Sequence, residues 1–203
     1  MNVLNRNINN IFLIFILSHL IIWTLVPSLT NKNLPLDTIE ALAWGSKLDW
    51  GFNKHPPVSA FFPEIVYQIF GAQDWTYYLL SQIFVLISFY FVFKFAYEIF
   101  GNIKLSLISV LLLSSIYFYN FTTPEFNVNV CQLPFWSIVV YYSWKIYQSK
   151  EIKFKDCFLI GLFGAIGFLS KYLFIYLLFS IALLFFYLIY FKKVKKFDFK
   201  YLI

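Results

Sequence analysis

Ionisable side chains are sparse in this chain, and they gather. Residues 34–57, LPLDTIEALAWGSKLDWGFNKHPP, hold Asp37, Glu40, Lys47, Asp49, Lys54 and His55 between two long apolar runs. Asp37 and Glu40 are three residues apart, so a helix beginning after Pro35 would carry both carboxylates on one face. Asp-x-x-Glu fits a capping box loosely; two carboxylates so placed could equally bind a cation or take a proton from a hydroxyl. Lys54-His55-Pro56-Pro57 sets a cation and a titratable ring before a rigid bend. One charge pair at about 4 Å and an effective dielectric of about 20 is worth roughly 4 kcal/mol before desolvation, enough to hold a phosphate. The plain alternative is a solvated loop with a chance histidine.

Two later stretches carry similar chemistry. In TTPEFNVNV, residues 122–130, Glu125 is either a site acid or a carboxylate favoured by a helix dipole, and Asn127 and Asn129 behind it suit a polar cavity better than lipid contact. Lys171 is the sole cation in the run 157–191, and it either meets an anion or snorkels to the interface. Gly161, Gly164 and Gly167 recur at spacing three, which suits helix packing better than a phosphate loop. No Gly-rich nucleotide loop, Ser-His-Asp arrangement or Cys/His metal spacing is present. A nucleotide cofactor is thereby disfavoured, while a metal stays open.

The elements that must position these residues are membrane helices. The chain is 61% hydrophobic and 13% charged, about half the roughly 25% of a soluble domain, and its mean hydropathy is +0.71. Roughly 20 apolar residues span a bilayer as a helix, which predicts about six transmembrane helices in one domain, 1–203. They lie near 9–29, 75–100, 104–120 and 127–145, with two more in 157–191 meeting at Ser170-Lys171-Tyr172. The first is expected to be an anchored helix rather than a removed signal peptide, and Gly101-Asn102 to turn the chain between the second and third. Between the first and second spans, Val58, Phe61, Phe62, Ile65, Val66, Ile69 and Phe70 recur at helical spacing after Pro56-Pro57, which predicts an interfacial helix with its apolar face in lipid.

Charge orients the bundle. With the N-terminus cytoplasmic, the inner side receives Arg6, Lys94, Lys104, Lys145, Lys150, Lys153, Lys155, Lys192, Lys193, Lys195, Lys196 and Lys200, and the outer side only Lys32, Lys47, Lys54 and Lys171. The net charge of +6 therefore belongs to membrane topology, and a nucleic-acid partner is not expected. Asp37, Glu40, Asp49, Glu64, Asp74 and Glu125 fall outside; Glu98, Glu151, Asp156 and Asp198 fall inside. Cys131 and Cys157 lie near opposite faces, too far apart to be bridged.

Taken together, LDTIEALAWG, WGFNKHPPVSAFF, TTPEFNVNV and LSKYLF resemble, in order and spacing, the GT-C glycosyltransferases that use polyprenyl-phosphate sugars. That group includes protein O-mannosyltransferases, the aminoarabinose transferase of lipid A and Rgt-type lipopolysaccharide core transferases. The resemblance implies the N-terminal part of a GT-C fold, an all-α integral membrane protein of the bacterial inner membrane with its site facing the periplasm. It also implies transfer of a hexosyl or pentosyl group from a polyprenyl-phosphate donor to a hydroxyl of a glycan, lipid or protein acceptor, with inversion. Asp37 and Glu125 would be the catalytic acids and Glu40 a supporting one, while Lys54, His55 and Lys171 would bind the donor phosphate, with a divalent cation an option that varies among relatives. Family members are usually much longer, so the chain is expected to lack a C-terminal half, with a missing C-terminal chain as one candidate partner. A silent remnant, a split-gene subunit and a small transporter component are the alternatives.

Overall fold

The computed structural model describes residues 3–149 and 151–191. Lys150, Lys192, Lys193, Lys195, Lys196, Asp198 and Lys200, counted above for orientation, lie outside the described residues. The chain forms α1 (Val3–Thr30), α2 (Leu36–Gly45), α3 (Val58–Phe70), α4 (Asp74–Phe100), α5 (Ile103–Ser114), a π-helical turn (Phe118–Thr122), α6 (Val128–Gln148), α7 (Phe154–Ser170), a 3-10 turn (Tyr172–Phe174) and α8 (Ile175–Tyr190). No strand occurs among the described residues. A helix lies in each of the expected spans, and among the described residues three, Asn7–Thr30, Asp74–Phe100 and Tyr172–Tyr190, are long and apolar enough to cross a membrane, against the six expected.

The turn between α4 and α5 follows from its two residues. Gly101 adopts φ 59°, the left-handed conformation that ends a helix cheaply only at glycine, and its N–H donates to the Tyr97 carbonyl. Asn102 then caps α5, its side chain accepting from the Lys104 N–H at 2.9 Å. α5 stops short of the expected span. The Ser114 and Ser115 hydroxyls donate back to the Leu111 and Leu112 carbonyls, and the Asn120 amide donates to the Ser114 carbonyl. Side chains that compete in this way for backbone groups favour turns over continued helix.

α4 packs against α1, α5 and α6, and α6 packs against α7, so α4 and α6 form the centre. The apolar stretches of α1 and α8 are 17% and 11% buried, against 44% for α4, which sets α1 and α8 at the periphery. The core is aromatic. Phe84 of α4 meets Phe62 of α3 at 4.8 Å, Phe126 at 5.4 Å and Phe135 of α6 at 6.1 Å, all edge to face. Each such pair adds about 0.5–1.5 kcal/mol beyond area burial. In lipid, van der Waals fit of this kind, rather than exclusion of water, holds helices together.

α3 departs from a purely lipid-facing helix. Val58, Phe62 and Val66 pack onto the core, and Ser59, Ala60, Pro63 and Glu64 are buried. Of the seven apolar residues expected to face lipid, Ile65, Ile69 and Phe70 turn outward, while Phe61 edges onto Trp50. The helix is therefore a wedge between α2 and the bundle.

The break between α7 and α8 falls at Lys171, whose backbone is extended (φ −156°, ψ 125°). The glycine strip serves packing here. Gly164 faces Leu178, and Gly167 lies against the fully buried Phe174 ring. A Cβ at Gly167 would fall 2.5 Å from two ring carbons of Phe174, whereas one at Gly161 would meet nothing. Overpacking of this kind costs about 1–3 kcal/mol. Gly167→Ala is therefore expected to lower the thermal midpoint of the detergent-solubilised protein clearly, and Gly161→Ala to leave it unchanged or raise it; equal midpoints would contradict the packing described.

Candidate active site

The N-terminus of α2 has no cap of its own. Pro35 precedes it and makes no side-chain bond, and Asp37, in the first turn, does not serve as a cap. The capping-box alternative is thereby overturned, because the partner comes from elsewhere: Glu125 Oε1 accepts from the Asp37 N–H at 3.0 Å. Beside it, the buried Thr38 hydroxyl donates to the Phe126 carbonyl at 3.1 Å. Glu125 is also outside the first turn of α6, where Asn127 is the cap and accepts from the Asn129 and Val130 N–H groups at 2.9 and 3.2 Å. The helix dipole that Glu125 meets is thus that of α2.

Glu40 lies one turn after Asp37 and pairs with Lys54, Nζ to Oε2 2.8 Å. That hydrogen bond raises the Lys54 pKa above its ordinary value, with further support from the charges of Glu40 and Asp37. His55 follows, its ring edge on Trp44 at 5.7 Å. Burial lowers its pKa first and the Lys54 charge lowers it further; Glu40 and Asp37 pull it up, and Lys171 pushes it down. At neutral pH the imidazole is uncharged, so it offers a phosphate a hydrogen bond, and the full charges are those of the two lysines. Lys171, at the end of α7, donates through Nζ to the Asn129 side-chain oxygen of α6. It is half-buried and held by an amide rather than snorkelling freely.

One small cleft is lined by Asp37, Glu40, Trp44, His55, Ser59 and Asn127. The structure therefore brings the expected residues to a single end of the bundle, with Glu125 and Lys171 at its margins. Among the described residues the Asp37 carboxylate has no hydrogen-bond or ion-pair partner, unlike those of Glu40 and Glu125. Trp44 and Ser59 escape a reading that looks for charge. Trp44 was accessible all the same, since Asp37, Glu40 and Trp44 fall at helical spacing on one face of α2. Gly45 explains how α3 comes near enough to supply Ser59: a Cβ there would lie 2.5 Å from the Ala60 carbonyl oxygen. No group of three or more His, Cys, Asp or Glu side chains suited to a metal occurs among the described residues.

Residues 54–203 match the family described as dolichyl-phosphate-mannose-protein mannosyltransferase, a GT-C-type glycosyltransferase family. The chain belongs to this family. No curated protein and no solved structure matches it. The family match and the apolar helices make it an integral membrane protein. Within this mannosyltransferase family chain the matched segment includes Lys54, His55, Glu125 and Lys171, and Asp37 and Glu40 precede it.

Two outcomes test this geometry. Replacing Glu125 by alanine removes the acceptor for an α2 N–H and is expected to cost about 1 kcal/mol, as lost caps do, while Glu125→Gln, which keeps an acceptor, costs less; thermal unfolding of both variants checks the order. The lowered His55 pKa predicts the second. The unfolded chain binds its proton near pH 6.5 and the folded one only at lower pH, so stability falls as pH drops below about 6.5 towards the folded value. Midpoints measured across that window should decline less in His55→Gln than in the native chain.

Proposed function

We propose that this chain transfers a sugar from a polyprenyl phosphate to an acceptor hydroxyl at the end of the bundle where α2 and α3 lie, and that this end faces outward. The unpartnered Asp37 carboxylate carries the reading: it lies in a cleft lined by Glu40, His55 and Asn127, with Lys54 paired to Glu40 and Lys171 held by Asn129 at the margin. Orientation is supported by the charges, since Lys94, Lys104, Lys145, Lys153 and Lys155 lie at the opposite end, as cytoplasmic cations do. In a bacterial inner membrane the site end would meet the periplasm.

The chemistry follows from these groups. The Asp37 carboxylate takes the proton of the acceptor hydroxyl as its oxygen bonds to the anomeric carbon. The bond from that carbon to the phosphate oxygen breaks on the opposite face, and its electron pair leaves with the lipid phosphate, so configuration inverts. Lys54 and Lys171 offset the charge that develops on the phosphate, and the His55 N–H donates to it. Glu40 fixes Lys54. Glu125 uses Oε1 to hold the backbone at Asp37, which leaves Oε2 for a sugar hydroxyl.

General-base catalysis contributes about 10²–10⁴-fold, so Asp37→Asn should reduce mannosyl transfer from polyprenyl-phosphate mannose to an acceptor hydroxyl in reconstituted vesicles by that order. Lys171→Met should raise the donor KM more than it lowers kcat. Full activity of the Asp37→Asn protein would sink the assignment.

A further inference from the structure

A second cavity, of about 410 Å³, opens beside the first and is lined by Trp44, Lys47, Asp49, Gly51, Phe52 and Asn53. Its size is in the range of small-molecule sites, and its lining combines an aromatic wall with a few polar groups, as such sites do. Trp44 is common to both spaces, with the Asp37 cleft on one side and this cavity on the other. The wall is a stacked pair, Trp44 on Phe52, with centroids at 5.5 Å and planes 13° apart. Around it stand a carboxylate, an amide and an ammonium. Among the described residues, Lys47, Asp49 and Asn53 make no side-chain hydrogen bond or ion pair.

The backbone that builds this space is strained. Leu48 adopts φ 50°, and it is the only non-glycine residue with positive φ among those described. A branched residue held there costs about 1–3 kcal/mol, and such outliers cluster at ligand clamps. The strained turn starts at the end of α2, where the Lys47 and Leu48 N–H groups donate to the Trp44 and Gly45 carbonyls. It carries Asp49 and Phe52 round to face Trp44.

We propose that this cavity is a subsite for a carbohydrate acceptor, a view that rests on the transferase reading above. A pyranose has one face of C–H groups and a rim of hydroxyls. The C–H face suits the aromatic wall; the hydroxyls donate to Asp49, accept from Lys47 and do both with Asn53. A sugar seated here projects a hydroxyl past the Trp44 edge towards Asp37. A lipid tail would gain nothing from three polar side chains, and a peptide strand would find no sheet edge among the described residues to extend.

The test uses the full chain in detergent and a panel of methyl pyranosides (mannoside, glucoside, galactoside), read by saturation-transfer NMR. At least one glycoside should show transfer strongest at its ring C–H protons, and Asp49→Ala with Phe52→Ala should weaken it at least fivefold. Should the double variant fold poorly, Asn53→Ala, at an exposed position, should weaken it about threefold. No signal from any glycoside, a signal unchanged in the variants, or saturable binding of a Ser/Thr peptide instead would overturn the subsite. Consumption of polyprenyl-phosphate mannose, with the glycoside hydroxyl or water as acceptor, is followed on the same native sample: glycoside binding without consumption sinks the transferase reading and leaves a sugar site, and consumption without glycoside binding sinks the subsite alone.

Discussion

Where α2 meets the loop before α6, two hydrogen bonds join segments 88 residues apart: Asp37 N–H to Glu125 and Thr38 hydroxyl to the Phe126 carbonyl. The placement of the whole polar end depends on this junction. α2 is short, with ten residues, and isolated helices of that length are marginal. Its first turn lacks a local cap, so the distant carboxylate both satisfies a backbone donor and fixes the direction in which Asp37, Glu40 and Trp44 face. The same loop continues into Asn127, which starts α6, and α6 in turn presents Asn129 to Lys171. Three segments thus share one rigid corner, and its rigidity originates in buried backbone that must find partners.

Beneath that corner, α3 works as a wedge rather than a float. Its Phe62 is locked among Phe84 and Phe135, and its Ala60 carbonyl meets α2 at a glycine. The one crossing demands a missing side chain; the other demands large rings. Together they determine how far the loop carrying Lys54 and His55 can move from α2.

Much of this was legible in the chain and some was not, for physical reasons. Helix positions come from long apolar runs and from Gly101, Asn102 and Lys171, whose local preferences act without tertiary help. The end of α5 was misjudged because Ser114, Ser115 and Asn120 act through side-chain bonds to the backbone, invisible to a hydropathy window. Clustering of Asp37, Glu40, Lys54, His55, Glu125 and Lys171 at one end was legible, since each sits beside a span terminus on the same side. Their pairing was not. Which acid caps which helix is decided by contacts across 88 residues, and short-range spacing left open both a cap on their own helix and a shared site.

The polar character of α6 has a consequence for how the protein enters the membrane. At 21 residues the helix is about 31 Å long, sufficient to cross, yet it is not among the helices apolar enough to do so on composition. α1, α4 and α8 have the hydrophobicity to partition into lipid on their own, and α6 does not. Its amides become tolerable once α4 and α7 flank it and Lys171 answers Asn129. Hydropathy alone can therefore carry α1, α4 and α8 into lipid, whereas the helix that anchors the site depends on its neighbours.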